Sequence, residues 1–122
     1  MSKAVVVIED DADMQELIRL ALRPQPLLHL VGRAEGADDG LALVQREQPD
    51  LVILNHYLEA GSLGLVLAPA LKRAAPRTKL VLFSSYDLAI EAEHESAVDV
   101  FVNKRRLAAL LPTVSSLLDL AG

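Results

Sequence analysis

The chain has 122 residues, of which 52% are apolar, with 17 Asp and Glu against 12 Lys and Arg for a formal net charge of −5, and it has no Cys. A chain this long forms one domain and buries roughly two-thirds of its accessible surface, enough for a core without cross-links. The absence of Cys excludes a disulfide framework and thiolate-bound zinc or iron–sulfur, and the scattered Lys and Arg leave no electrostatic footprint for nucleic acid. No apolar run approaches the ~18 residues of a spanning helix, and the five-residue run near the N-terminus is too short for a signal sequence. A domain of the cytoplasm without membrane association is expected.

The apolar pattern alternates between two kinds of segment. Ala4 to Ile8 is short, aliphatic and apolar on both faces, as in a strand covered on both sides. Asp11 then serves as a helix N-cap, and Met14, Leu17, Ile18, Ala21 and Leu22 follow at the spacing of one buried stripe, which Pro24 ends. Leu27 to Val31 is a weaker strand, followed by a helix over 37–48 that stops at Pro49. Leu51 to Leu54 is the next strand. Pro69 interrupts the helical pattern that follows, and its position suggests a first turn. Leu80 to Phe83 and, more weakly, Val98 to Val102 are the remaining strands.

The last helix carries Leu107, Leu110, Leu111, Val114, Leu117, Leu118 and Ala121 on one face, with Pro112 expected to kink it or delay its start. The order is (βα)5 over residues 1–122. It implies a parallel sheet with helices on both faces, joined by right-handed crossovers.

In such a sheet ligands bind at the carboxyl ends of the strands. Glu9, Asp10 and Asp11 end the first strand, Asn55, His56 and Tyr57 the third, Ser84, Ser85 and Tyr86 the fourth, and Asn103 and Lys104 the fifth. Paired carboxylates suit a hard divalent cation, while a lysine and a hydroxyl suit phosphoryl oxygens. Each group alone has a plain structural account, since acids favour a helix start and a lysine favours solvent. Their convergence from four strand ends points to a site.

VVVIEDD, QPDLVILN, LVLFSSYD and VDVFVNK, in this order and spacing, resemble the response-regulator receiver family, the CheY-like phosphoacceptor domain of two-component signalling. The resemblance covers the whole chain and implies a flavodoxin-like fold with strand order 2-1-3-4-5. It implies an acidic pair for Mg²⁺ at Glu9 and Asp10, a hydroxyl for the phosphoryl oxygen at Ser84 and a phosphoryl-contacting lysine at Lys104. Phe101 falls at the family's switch aromatic. The implied partners are a sensor kinase, an output domain or another regulator, with a homodimer through the fourth helix, fifth strand and fifth helix as one form.

At the family's phosphorylated Asp this chain has Asn55. An amide is neutral, with its nitrogen lone pair delocalised, so it lacks the anionic oxygen that attacks phosphorus. Loss of that anionic ligand also leaves Mg²⁺ weakly held, so no cofactor is required. Asp50, at the opposite end of the third strand, is too far away to substitute. Glu59 stands where the family has Pro, and the loop NHYLEAGSLG is longer than usual before its Gly. Arg105 follows Lys104 where the family places Pro, so that peptide bond is expected to be trans. The fourth helix looks curtailed.

Two functions remain. One is a degenerate receiver that is not an enzyme and acts through protein contacts. The other is a small flavodoxin-like domain binding a nucleotide or another ligand at the same edge, though EDDAD places carboxylates where a phosphate-binding loop offers backbone N–H groups.

Overall fold

A computed structural model describes residues 1–120; Ala121 therefore lies outside the described residues. Strands β1 (Lys3–Ile8), β2 (Leu28–Ala34), β3 (Leu51–Leu54), β4 (Lys79–Ser84) and β5 (Val100–Asn103) form one sheet in the order β2-β1-β3-β4-β5. All neighbouring strands pair in parallel. Helices α1 (Ala12–Leu22), α2 (Ala37–Glu47), α3 (Gly64–Ala74) and α4 (Ala89–Glu93) supply the crossovers, and α5 (Leu110–Leu117) follows the last strand. This is the expected fold and strand order.

The sheet divides two apolar layers. Val6, Ile8, Val52, Leu54, Leu80 and Leu82 point into the layer under α2, α3 and α4. Val5, Val7, Leu51, Ile53, Val81 and Phe83 point the other way, against Ile18, Leu22, Leu110 and Val114 of α1 and α5. Every residue of β3 is buried, which accounts for its unbroken aliphatic sequence. β2 is an edge strand with an alternating pattern of exposure, so its apolar signal is diluted and its length is understated in the sequence. It runs to Ala34 rather than Val31.

Several local expectations need correction. Leu17 is 43% exposed and falls outside the buried stripe, while polar Gln15 is buried in its place. Pro69 is not in the first turn of α3, which begins five residues earlier because the Leu63 carbonyl accepts from both Val66 and Leu67 N–H. β5 starts at Val100, because Val98 and Asp99 belong to the entry loop. α2 ends at Glu47, one residue early, with Gln48 in the left-handed region at φ 45°. Pro112 does delay α5. A 3-10 segment over Lys104–Ala109 precedes it, and Pro112 sits in its first turn.

Two aspartates fasten the amino end of the sheet. Asp50 Oδ2 accepts the Ala4 N–H at 2.8 Å, joining the entries of β3 and β1. Asp99 Oδ2 accepts the Leu80 N–H at 2.8 Å and the Lys72 ammonium at 2.8 Å, joining β5, β4 and α3. Asp50 thus has a structural task at the end of β3 opposite Asn55.

Candidate functional site

The carboxyl edge collects Glu9, Asp10 and Asp11 after β1, Asn55 and Tyr57 after β3, Ser84, Ser85 and Tyr86 at β4, and Lys104 after β5, around a cleft of about 330 Å³. Parallel pairing brings them there. Ile8 lies beside Leu54, and Ser84 beside Asn103, so the residues that follow emerge at one level. Glu9, Asp10, Asn55, Ser84 and Lys104 all gather here, whereas His56 and Asn103 do not line the cleft, and neither does Phe101. That ring is half-buried, packed against the apolar layer under α2, α3 and α4.

Glu9 is the most buried acid, only 1% exposed. Its Oε1 lies 2.6 Å from the Lys104 ammonium, a contact held by charge. Its Oε2 accepts the Asp11 N–H at 3.2 Å and an Asn55 amide N–H at 3.1 Å. Burial raises the Glu9 carboxyl above its ordinary value, with the Lys104 ammonium opposing and neighbouring Asp10 adding to the rise. The strand terminus is fixed from behind by Gln15, whose Nε2 donates to the Glu9 carbonyl at 2.7 Å.

Asn55 is buried at the centre. Its Nδ2 faces Glu9 Oε2 at 3.1 Å, Asp10 Oδ1 at 3.3 Å and the Tyr57 carbonyl at 2.6 Å. All three are acceptors, which sets the amide with nitrogen inward; the flipped arrangement would place oxygen against oxygen. Ser84 Oγ accepts the Tyr86 N–H at 3.2 Å and shapes the β4 exit. The residue bonded to both acids is thus an amide.

The loop after β3 is built to hold Asn55. Tyr57 and Leu63 form an antiparallel bridge, and Leu58 N–H donates to the Ser62 carbonyl at 2.9 Å. The turn between them carries Ala60 at φ 60° and Gly61 at φ 77°. Gly64 then donates its N–H to the His56 carbonyl at 2.6 Å. A Cβ on Gly64 would stand 2.2 Å from the Asn55 carbonyl oxygen, so only glycine permits this approach. His56 is buried, and its Nδ1 accepts the Leu65 N–H at 3.3 Å, which requires an unprotonated Nδ1. The ring packs edge-on to Tyr57, which packs edge-on to Tyr86 at the mouth of the cleft. The Lys104–Arg105 peptide is trans, as expected.

Gln15 and Gly64 lie outside the strand-end groups read from the sequence, and Tyr57, which belongs to one of them, contributes a main-chain atom instead of its side chain. Gln15 is a polar residue on an otherwise apolar face, Tyr57 acts through its backbone carbonyl, and Gly64 reads in sequence as a loop glycine. Among the three, only the Gln15 anomaly left a mark in the residue pattern.

Residues 5–114 match the family model described as "Response regulator receiver domain". The chain belongs to the response regulator receiver family. Over 110 residues this receiver is 31% identical to a protein-glutamate methylesterase/protein-glutamine glutaminase of Cereibacter sphaeroides. The match takes in 86% of this chain and 29% of that one, so the receiver spans under a third of the curated relative. Among solved structures, a LuxR-family response regulator from Aurantimonas sp. superposes with a TM-score of 0.88 at 18% identity, covering 98% of this receiver and 86% of that chain. The signal receiver domain of the putative response regulator NarL from Mycobacterium tuberculosis gives 0.85 at 22% identity, covering 98% of each. The response regulator domain of CheB from Thermotoga maritima gives 0.81 at 17%, covering 98% and 95%. At these identities the structural likeness concerns the fold. Among the described residues, no helix is long and apolar enough to cross a membrane.

Proposed function

We propose that this receiver works in two-component signalling, in the cytoplasm, as a protein-interaction module that is not phosphorylated at Asn55. The observation that supports this is the Asn55 amide at the centre of the Glu9, Asp10 and Lys104 cluster. The position has the surroundings of a phosphoacceptor and lacks the anionic oxygen nucleophile. Tyr86, just before the short α4, and Ile90, within it, are 57% and 68% exposed, which supports the α4, β5 and α5 side as the contact face for a kinase, an output domain or a second receiver. A nucleotide-binding role is less well supported, because the β1 exit offers acids rather than free backbone donors.

The test is incubation with acetyl phosphate and Mg²⁺, scoring hydroxylamine-sensitive phosphate by intact mass. Wild type should gain none. Asn55→Asp restores the nucleophile between the same acids and lysine and should gain one phosphoryl group per chain. Hydroxylamine-sensitive phosphate on the wild type would overturn the reading.

A further inference from the structure

Three oxygens converge on one nitrogen at the β3 exit. Glu9 Oε2, Asp10 Oδ1 and the Tyr57 carbonyl lie 3.1, 3.3 and 2.6 Å from Asn55 Nδ2, and the amide has two N–H groups to share among them. Two carboxylate oxygens and a carbonyl oxygen facing one point are the donor set of a hard divalent cation. Here the point is taken by an amide nitrogen. Among the described residues, no group of three or more His, Cys, Asp and Glu side chains is placed to hold a metal, so no alternative carboxylate cage exists beside it.

Charge leads to the same place. The two carboxylates that bond the Asn55 amide, Glu9 and Asp10, together with the Lys104 ammonium on Glu9, sum to a single excess negative charge beside a neutral Asn55. An aspartate at this position would leave two, and a dication would then be needed to offset them. Both oxygens of Glu9 are already engaged, Oε1 by the Lys104 ammonium and Oε2 by the Asp11 and Asn55 N–H groups. A cation entering the cleft would have to displace an amide whose shortest bond is 2.6 Å and strip donors from a carboxylate that is 1% exposed.

We propose that the Asn55 amide is a built-in substitute for a divalent cation: its NH₂ fills the oxygen cluster of Glu9, Asp10 and Tyr57 and holds the β1 and β3 exits together in a metal-independent state. The inference rests on the reading of Asn55 given above and extends it. Asn55 does more than lack a nucleophile. It supplies the positive pole around which the acids are arranged.

The experiment is thermal unfolding of the whole chain with and without about 10 mM MgCl₂, against KCl of equal ionic strength to separate binding from screening. The wild-type midpoint should move by less than about 1 °C on adding MgCl₂. Asn55→Asp should be less stable without metal and should rise by more than about 3 °C with it. Asn55→Ala, which vacates the position without adding charge, should lose stability and regain part of it with Mg²⁺, and it decides the matter if the Asp variant does not fold. The Asn55 side-chain NH₂ resonances of wild type should stay in place as MgCl₂ is added. A wild-type midpoint that rises as far as that of Asn55→Asp, or an Asn55 NH₂ signal that shifts with Mg²⁺, would overturn the proposal. So would Asn55 variants that both ignore Mg²⁺. If Asn55→Asp responds to Mg²⁺ and gains no phosphate, the substitute-cation inference stands, and the view that only the nucleophile was lost is the one that fails.

Discussion

Lys104 and Glu9 form a buried ion pair across the carboxyl edge, Nζ to Oε1 at 2.6 Å, with side chains 14% and 2% exposed. The pair ties the exit of β5 to that of β1, two strands that are not neighbours in the sheet. Breaking it by Lys104→Met leaves Glu9 buried with only N–H donors. Loss of one partner of a buried pair costs roughly 3 to 5 kcal/mol, and the remaining Asp11 and Asn55 donors should hold the loss to about 2 to 4 kcal/mol. Without the ammonium, burial and Asp10 push the Glu9 carboxyl further up. The deficit should therefore be largest at neutral pH and shrink on acidification as Glu9 takes a proton. Urea unfolding of both proteins across pH 5 to 7.5 measures it, and a variant as stable as wild type at neutral pH contradicts the role given to the pair.

His56 gives a second pH dependence. Burial lowers its pKa below the ordinary 6.5, with the Glu91 carboxylate opposing, and its Nδ1 must stay unprotonated to accept the Leu65 N–H. The unfolded chain then binds a proton more readily than the folded one. The contribution is fully present above about pH 6.5 and declines as pH falls through that value. His56→Gln should flatten the stability profile between about pH 5 and 7 relative to wild type; parallel profiles would show that His56 does not titrate with unfolding.

Gly64 should resist every substitution. The nearest obstacle to a Cβ is the Asn55 carbonyl oxygen at 2.2 Å, which is backbone and cannot rotate away. Gly64→Ala should cost about 1 to 3 kcal/mol through displacement of the β3 exit, outweighing alanine's gain in helix propensity. It should also perturb the Asn55 side-chain NH₂ signals. An alanine variant as stable as wild type, with those signals unmoved, would show that the loop relaxes freely.

On the proposed contact face, Ile90→Glu replaces an apolar side chain that is 68% exposed. The melting temperature should change by less than about 2 °C, because little buried surface is lost. Any self-association seen by sedimentation equilibrium should weaken at least tenfold. Unchanged association would place the interface elsewhere.

The strands of the sheet interior were legible because burial on both faces writes an unbroken aliphatic run, as in Leu51 to Leu54. β2 was understated because an edge strand alternates. Pro69 misled because α3 is already hydrogen-bonded from the Leu63 carbonyl onward, and a proline inside it removes only the bond to the carbonyl one turn before it. The grouping of Glu9, Asp10, Asn55, Ser84 and Lys104 follows from strand ends and could be read directly. The Tyr57 carbonyl and the Gly64 contact could not, because backbone atoms carry no residue signature and a glycine's use depends on what lies opposite it.

The two aspartates at the other end of the sheet also bear on how this domain can move. Through charge-assisted bonds to the Ala4 and Leu80 N–H groups, Asp50 ties β1 to β3 and Asp99 ties β4 to β5 at their entries, and the Asp50 carbonyl accepts the Lys79 N–H between β3 and β4. With the entries stitched, strands can splay only at their exits, like the ribs of a fan held at the handle. A slight shift at Asn55 or Lys104 should thus be levered outward into the loops before α3 and α4, and the amide protons near Ala4 and Leu80 should be among the last to exchange with solvent.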